Sequence, residues 1–305
     1  MPAPNENSVR AGLGPFARRL PGVVTLAERL ATIENRLAAV ESGLAAVREF
    51  AHDGTKASAE LLRREKKRAS ARAEFGKLDY ERAEIYLQLS SRFEILRLNS
   101  CAKEPWTVEW IEQRIAGGQV LWDIGANVGP YALVAAKAHG SELDIIAFEP
   151  GYANYAALCE NVALNEVESI VPLPFALGDT TGISYLSYSE AEPGAADHAL
   201  SDVPAGQPLA CYRADDLVTQ LGLPCPNHIK LDVDGSELEV LRGASEILSS
   251  RDLQTLMVEV HAGEGEELES LLHDQDLAVE TRFEQREKHG RPVDHRYVLF
   301  SRAAR

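Results

Sequence analysis

The stretch WDIGANVGPY, residues 122–131, joins a short apolar run to an alanine-rich one. An apolar run, a glycine-containing turn and a helical composition in that order predict a strand that turns sharply into a helix. Gly125 and Gly129 let the backbone turn tightly and approach a ligand with no Cβ in the way. In an open α/β sheet, ligands sit beyond the carboxyl ends of the strands. The stretch therefore predicts such a sheet, with a ligand bound at this turn.

Apolar runs and amphipathic helical stretches alternate from about residue 100 onward, which is typical of a doubly wound α/β domain. The runs are 120–126, 144–150, 170–177, 229–233, 253–261, 279–284 and 297–301. A polar loop alone separates the last two, so we expect them to form an antiparallel hairpin. Residues 99–305 are thus predicted to form a seven-stranded, mostly parallel sheet. A further hairpin is expected at 183–189.

Two ligands suit such a turn, a dinucleotide and S-adenosylmethionine. The turn reads GANVG and lacks the inner glycine of the dinucleotide fingerprint GxGxxG. Asp123 would repel a pyrophosphate, but it suits the cationic amino-acid end of S-adenosylmethionine. Glu149 ends the second strand, where it can accept hydrogen bonds from ribose hydroxyls, and this feature serves both ligands. The combination favours S-adenosylmethionine.

The remaining predicted donor contacts follow from neighbouring positions. Leu177, near the end of the third strand, can pack on a flat adenine, while Asp179 or a backbone group pairs with its amino group. Asn127 is interpreted as a polar contact or turn residue, and Tyr131 as a wall of the same pocket.

Five segments occur in order with suitable gaps over about residues 118–262: VLWDIGANVGPYALVAAK, IIAFEPGYANYAALCENVALN, LPFALGDTTG, HIKLDVDGSELEVLRGA and LMVEVH. Together they resemble the FkbM family of methyltransferases, and residues 230–235 are the most specific part. The resemblance implies a Rossmann-like class I methyltransferase fold. It also implies S-adenosylmethionine-dependent O-methylation of a hydroxyl on a sugar, polyketide or other secondary metabolite.

The acceptor side is predicted at the carboxyl ends of the fourth and fifth strands. Methyl transfer to an alcohol needs the oxygen, carbon and sulfur in line, and a base for the hydroxyl proton. Asp232 or His261 could serve as that base, and Lys230 could hold Asp232 or stabilise developing negative charge. A structural ion pair between Lys230 and Asp232 is the alternative.

A metal alternative exists for the same strand end. Asp232, Asp234 and Glu237 are hard oxygen ligands that suit Mg²⁺ or Ca²⁺. However, the full EF-hand spacing is absent and residues 236–244 indicate a helix. We therefore predict no metal site.

Two other functions compete with the methylation of a small-molecule or glycan hydroxyl. Methylation of a nucleic-acid base usually accompanies an (Asp/Asn)-Pro-Pro-(Tyr/Phe) element, but no Pro-Pro occurs in the chain and the net charge is −16. No nucleic-acid partner is therefore expected. An oligomeric scaffold that binds the donor without catalysis is the other alternative. The acidic stretch 189–208 has the length of a lid or specificity element.

The N-terminal third has a different composition. Residues 1–21 are expected to be disordered. Heptad positions a and d over 22–52 hold apolar residues, which are Val23, Leu26, Leu30, Ile33, Leu37, Val40, Leu44 and Val47. This pattern predicts a coiled coil and a homo-oligomer formed through 22–50, with a trimer or tetramer favoured over a dimer. Residues 57–98 are predicted to be helical, with a basic cluster over 61–72 and a helix over 78–98 that packs on the catalytic domain.

Localisation is predicted from the cysteines and the absence of targeting signals. The four cysteines are scattered without zinc-ligand spacing, which is typical of reduced thiols. The N-terminus has no apolar signal core, and no run of 18 apolar residues occurs. A cytoplasmic protein with no transmembrane segment is therefore expected.

Overall fold

The computed structural model describes residues 74–284, apart from 197, 202 and 205, together with 295–302. These residues belong to one compact unit, Ala73–Arg305. The predicted disordered segment, the coiled coil, the basic cluster 61–72 and the oligomer formed through 22–50 lie outside the described residues and stay predictions.

A seven-stranded sheet forms the centre of the unit. Its strands are β3 (Val120–Ile124), β4 (Asp144–Phe148), β5 (Ile170–Leu173), β10 (His228–Leu231), β11 (Thr255–His261), β12 (Leu277–Phe283) and β13 (His295–Arg302). They lie in the order β12-β13-β11-β10-β3-β4-β5. The neighbours from β11 to β5 pair in parallel, and β13 runs antiparallel to both β11 and β12. The predicted mostly parallel sheet with a terminal hairpin is confirmed.

Helices cover both faces of this sheet. They are α1 (Arg92–Arg97), α2 (Ser100–Lys103), α3 (Pro105–Arg114), α4 (Pro130–His139), α5 (Tyr152–Leu164), α6 (Ala214–Thr219), α7 (Glu237–Arg242), α8 (Ser245–Ser249) and α9 (Gly265–His273). Alternation along β3 explains the two layers, because Leu121 packs with α3, α4 and α5 whereas Trp122 and Ile124 pack with α6 to α9. Strands buried on both faces read as continuous apolar runs.

The predicted helix over 78–98 is wrong for most of its length. Residues 74–89 form an antiparallel hairpin of β1 (Glu74–Lys77) and β2 (Tyr86–Leu89), and only α1 is helical. Ile85 and Leu87 are both fully buried, which is the period of two expected of a strand. The side chains of Asn161 on α5 and of Asn165, the residue after this helix, bind the backbone of β2, so this hairpin is fixed to the domain.

A smaller sheet of four strands adjoins the end of β5. Its strands are β6 (Ala176–Leu177), β7 (Gly182–Ser187), β8 (Ala199–Ser201) and β9 (Gln207–Tyr212), in the order β6-β9-β7-β8. The segment expected to form a hairpin, 183–189, contributes the single strand β7, which pairs antiparallel with both β8 and β9. Between β7 and β8 the chain returns toward the main sheet.

No helix among the described residues is long and apolar enough to cross a membrane. All four cysteines lie in the described part of the chain, and none of them forms a disulfide.

Candidate functional site

The turn after β3 has the backbone geometry that its glycines predict. Gly125, Asn127 and Gly129 all have positive φ, of 83°, 53° and 89°. A Cβ on Gly125 would lie 1.9 Å from the carbonyl oxygen of Asp232, at the end of the neighbouring strand β10. Gly125 is therefore the residue that lets the turn and the end of β10 approach each other.

A cavity of about 670 Å³ opens beside this turn. It lies at the carboxyl ends of β3, β4, β10 and β11, where the strand order reverses between β3 and β10. Its volume is in the range of sites for small molecules and cofactors. Six of the predicted site residues line it, and these are Gly125, Asn127, Glu149, Leu177, Asp232 and His261.

Glu149 is the buried acid on the donor side of the cavity. Its two carboxylate oxygens accept hydrogen bonds from the backbone N–H groups of Asn127 and Gly151, each at 2.8 Å. Burial raises the pKa of Glu149 to about 7, although these two hydrogen bonds act in the opposite direction. Each oxygen keeps a further lone pair for a ribose hydroxyl.

Asn127 lines the cavity and acts as a turn residue, which is one of the two roles predicted for it. Its side-chain nitrogen donates to the carbonyl oxygen of Ala195 at 2.7 Å, and its side-chain oxygen accepts from the backbone N–H of Val128 at 2.9 Å. The side chain thus fixes the turn and anchors the segment 193–195, which we call the clasp. The N–H of Gly194 in the clasp also donates to the side chain of Asn154 at 2.8 Å.

The donor side fits S-adenosylmethionine. Close approach to the backbone is possible at Gly125, the Glu149 carboxylate can hold the ribose, and Leu177 and Phe175 give an apolar surface for adenine. The other predicted donor residues, which are Asp123, Gly129, Tyr131 and Asp179, do not line the cavity. Asp179 is exposed, and the Tyr131 hydroxyl donates to the carbonyl oxygen of Ser100 at 3.0 Å.

Lys230 and Asp232 form a buried ion pair with 2.7 Å between Nζ and Oδ2. Lys230 Nζ also lies 4.9 Å from the centre of the Tyr131 ring, and the residue pairs in register with Asp123 on β3. Burial acts to lower the pKa of Lys230, but the charges of Asp232, Glu104 and Asp123 outweigh it and raise the pKa. Lys230 is therefore charged and holds Asp232 in place.

The pKa of Asp232 is held well below its usual range. Burial acts to raise that pKa, and the positive charges of Lys230 and Lys103 outweigh this effect. The Tyr297 hydroxyl donates to the buried carboxylate of Glu104 over 3.1 Å, and its oxygen lies 3.5 Å from Asp232 Oδ2. Asp232 is consequently a weak base in this environment.

Glu259 and two histidines form the opposite side of the cavity. His261 Nε2 lies 3.4 Å from one Glu259 oxygen, and His295 Nε2 lies 3.2 Å from the other. The contact with Glu259 raises the pKa of His261 to about 9, although burial opposes this. Burial and the charge of Asp232 raise the pKa of Glu259. The pair therefore holds its protons more tightly than isolated side chains would.

Carboxylates come close together on this side of the cavity. Two groups of side chains offer atoms that could coordinate a metal and that lie within 4.8 Å of one another. The first group is Asp232, Asp234 and Glu259, and the second is Glu237, Glu259 and His261. The Glu237 carboxylate already accepts from the backbone N–H groups of the loop after β10. Lys230 and His261, whose pKa values are both raised, supply positive charge to these carboxylates.

Several residues of this site are not among those predicted from the sequence. Arg97 and Lys103 line the cavity from α1 and α2, which precede the glycine turn and the other motifs of the domain. His295 reaches the site because β13 pairs with β11 in a register that sets His295 opposite His261. Glu259 and His261 are two positions apart on β11, so their side chains lie on the same face of the strand. Because His261 is predicted at the cavity, this spacing could have indicated Glu259 as well.

The buried carboxyl of Asp123 should make the stability of the protein depend on pH. It is 1% exposed, and within the described residues neither side-chain oxygen has a hydrogen-bond partner. Burial raises its pKa to about 6. Because the ordinary value is about 4, the folded chain binds more protons, and stability falls as the pH rises from about 4 to 6. Asp123→Asn should gain stability relative to the parent by about 2–3 kcal/mol over that window.

Urea denaturation of the parent and of Asp123→Asn at a series of pH values measures this difference. Asp144→Asn, at the exposed start of β4, is the matched control for removing one strand aspartate. A stability difference for Asp123→Asn that stays constant from about pH 4 to 7 would contradict the assignment.

Comparison with known proteins gives one family and two curated relatives. The methyltransferase FkbM domain matches residues 123–286. A hexuronic acid methyltransferase, AglP, from Haloferax volcanii is 30% identical over 191 residues, which is 61% of this chain and 75% of that protein. The 31-O-demethyl-FK506 methyltransferase FkbM from Streptomyces tacrolimicus is 26% identical over 178 residues, or 48% of this chain and 67% of that protein.

Among solved structures, a precorrin-6y C5,15-methyltransferase from Geobacter metallireducens GS-15 aligns with a TM-score of 0.41 and 14% identity. The alignment covers 66% of this chain and 87% of that one.

Proposed function

Because the chain belongs to the FkbM methyltransferase family and uses S-adenosylmethionine as its methyl donor, we propose that it methylates a hydroxyl of a sugar, a glycan or a secondary metabolite. The observation that carries the proposal is that one cavity brings together the ends of four neighbouring strands. Gly125 and Glu149 follow β3 and β4, and Asp232, Glu259 and His261 lie at the ends of β10 and β11. The relatives support the acceptor class, since their names describe methylation of a hexuronic acid and of a demethylated FK506.

The donor supplies an electrophilic methyl group on a positively charged sulfur. The protein has to hold the acceptor oxygen in line with that group and accept its proton as the bond forms. The acids of the cavity also suit a positively charged ligand, because four carboxylates line it, those of Glu149, Asp232, Asp234 and Glu259.

Of the two predicted bases, His261 is better suited than Asp232 to accept the proton. Asp232 is engaged by Lys230 at 2.7 Å and has a lowered pKa, so it attracts a proton weakly. The imidazole of His261 has a raised pKa and a carboxylate, Glu259, behind it to stabilise the charged form. This resembles the way in which a carboxylate orients and supports a histidine base in hydrolases. Lys230 then serves as the residue that positions Asp232.

Transfer of a labelled methyl group from S-adenosylmethionine tests the proposal. The acceptors are oligosaccharides with and without hexuronic acid and hydroxylated macrolides, with a single-stranded and a duplex oligonucleotide as controls. We expect label in an alkali-stable methyl ether on one of the first group. Label that appears only in an alkali-labile methyl ester, or only in an oligonucleotide, would overturn the hydroxyl acceptor.

A further inference from the structure

The cavity has few cationic side chains that could meet the carboxylate of S-adenosylmethionine. Among the described residues that line it, Arg97 and Lys103 are the only lysine or arginine side chains, whereas four lining residues are carboxylates. The methionine part of S-adenosylmethionine carries a carboxylate of its own at neutral pH. Placing this group in an acidic cavity without a cationic partner would be costly. His261 is also a cation because of its raised pKa, but it already contacts the carboxylate of Glu259. One of Arg97 and Lys103 is therefore expected to meet the methionine carboxylate.

Lys103 already forms an ion pair within the protein. Its Nζ lies 2.7 Å from Oε1 of Glu104, whose side chain is completely buried. The same carboxylate accepts hydrogen bonds from the hydroxyls of Tyr297 at 3.1 Å and Thr107 at 3.2 Å. Moving Lys103 to a ligand would leave a buried carboxylate without its cation, which is strongly unfavourable.

Arg97 has unused donors. Its Nε donates to the carbonyl oxygen of Gly194 at 3.0 Å, and within the described residues its two terminal nitrogens have no hydrogen-bond partner. An arginine carries five N–H donors in a planar fork that matches a carboxylate. Because Nε is fixed by Gly194, the remaining donors of this fork are held in a defined orientation before any ligand binds.

The location of Arg97 matches the methionine end of the donor. Gly194 belongs to the clasp, and the next residue, Ala195, binds the side chain of Asn127 in the glycine turn. On its other side, the charge of Arg97 acts on Tyr131, whose ring lies 4.9 Å from Lys230 Nζ. Arg97 thus lines the cavity, is joined through the clasp to the glycine turn that approaches the donor, and lies near Tyr131.

We propose that Arg97 binds the carboxylate of the methionine part of S-adenosylmethionine. The fixed Nε orients the guanidinium, and the two terminal nitrogens donate to the carboxylate oxygens. This inference does not depend on the identity of the acceptor, and its test contains no acceptor.

Calorimetric titration with two ligands isolates the carboxylate. S-adenosylhomocysteine and 5′-methylthioadenosine share the nucleoside and an uncharged thioether, but only the first carries the amino-acid carboxylate. Arg97→Gln is expected to weaken binding of S-adenosylhomocysteine roughly 10- to 100-fold. Its affinity for 5′-methylthioadenosine should stay equal to that of the parent protein.

Two further variants keep the test decisive. Arg92→Gln removes an exposed arginine from the same helix, where it pairs with Glu190, and should change neither affinity. Arg97→Lys keeps the charge but loses the planar fork, so its affinity for S-adenosylhomocysteine should lie between those of Arg97→Gln and the parent. It also serves as the test variant if Arg97→Gln does not fold. Equal weakening of both ligands would show that Arg97 acts only through the clasp and would overturn the proposal, and so would an unchanged affinity for S-adenosylhomocysteine.

Discussion

Replacing Gly125 by alanine should abolish measurable binding of S-adenosylhomocysteine and lower the free energy of unfolding by at least about 3 kcal/mol. The new Cβ would lie 1.9 Å from the carbonyl oxygen and 2.8 Å from the carbonyl carbon of Asp232. Both atoms are backbone, so no side-chain rotation relieves the clash. The φ of 83° adds a further cost, because residues with a Cβ disfavour that region.

The loss should spread beyond the turn. Asp232 can move away from the new methyl group only if the end of β10 shifts, and this shift disturbs the 2.7 Å pair with Lys230. Donor binding and the acceptor-side geometry would therefore fail together. Calorimetric titration and urea denaturation measure the two effects.

Gly118→Ala is the matched control for the backbone cost. Gly118 has a φ of 78°, nearly that of Gly125, but apart from its chain neighbours no atom of the described residues lies within 4 Å of the position that a Cβ would take there. This variant should lose only about 1–2 kcal/mol and keep its affinity for the ligand. If Gly125→Ala bound S-adenosylhomocysteine as tightly as this control does, the close approach of the turn to β10 would not matter for the donor site.

Replacing His261 by glutamine should lower kcat by about 100-fold or more, the usual contribution of a general base. The contact with Glu259 raises the pKa of His261 to about 9, so most of the imidazole is protonated at neutral pH. The base form increases as the pH rises. We therefore expect kcat/KM of the parent enzyme to increase from about pH 6 to about 9.

Glu259→Gln separates this mechanism from one that uses Asp232. Without the carboxylate, the pKa of His261 should fall toward its ordinary value of about 6.5, and the rising limb of the pH profile should move to lower pH. A base at Asp232, whose pKa lies below its usual range, would give no limb between about pH 6 and 9. His273→Gln, at the exposed end of α9, should leave the profile unchanged. A limb that stays in place in Glu259→Gln would exclude His261 as the base.

The mostly parallel sheet follows from local sequence patterns, and so do some cavity residues such as Gly125 and Glu149. Gly125 needs a positive φ, and Glu149 and Asp232 each come directly after a buried strand. Carboxyl ends of parallel strands meet at one edge, so patterns along the chain are enough to bring such residues together.

Asp123 shows where the same reasoning needs one further step. It shares a strand face with Leu121, which packs with α3 to α5, whereas Trp122 and Ile124 face the opposite layer. Its side chain consequently lies beside Lys230 and does not line the cavity. The alternation of side chains along β3 predicts which face of the sheet Asp123 lies on. The position of Asp123 near the end of the strand does not predict this face.

Residues brought in by long-range pairing could not be predicted. His295 depends on the antiparallel register of β13 with β11, and Arg97 depends on how the segment before the domain folds back on it. The spacing of Ile85 and Leu89 suits a helix, although the segment forms a hairpin fixed by side chains of α5. Such contacts are tertiary, and no window of local sequence encodes them.

The place of β13 in the sheet bears on how the protein is made. This strand is the last in the described sequence, yet it lies between β11 and β12, which are both synthesised before it. Until residues 295–302 have left the ribosome, β11 and β12 each present an unpaired edge, and His295 is missing from the cavity. A nascent chain could thus form the glycine turn and the β3–β4 pair early, while the acceptor side would be completed only when its final strand is inserted.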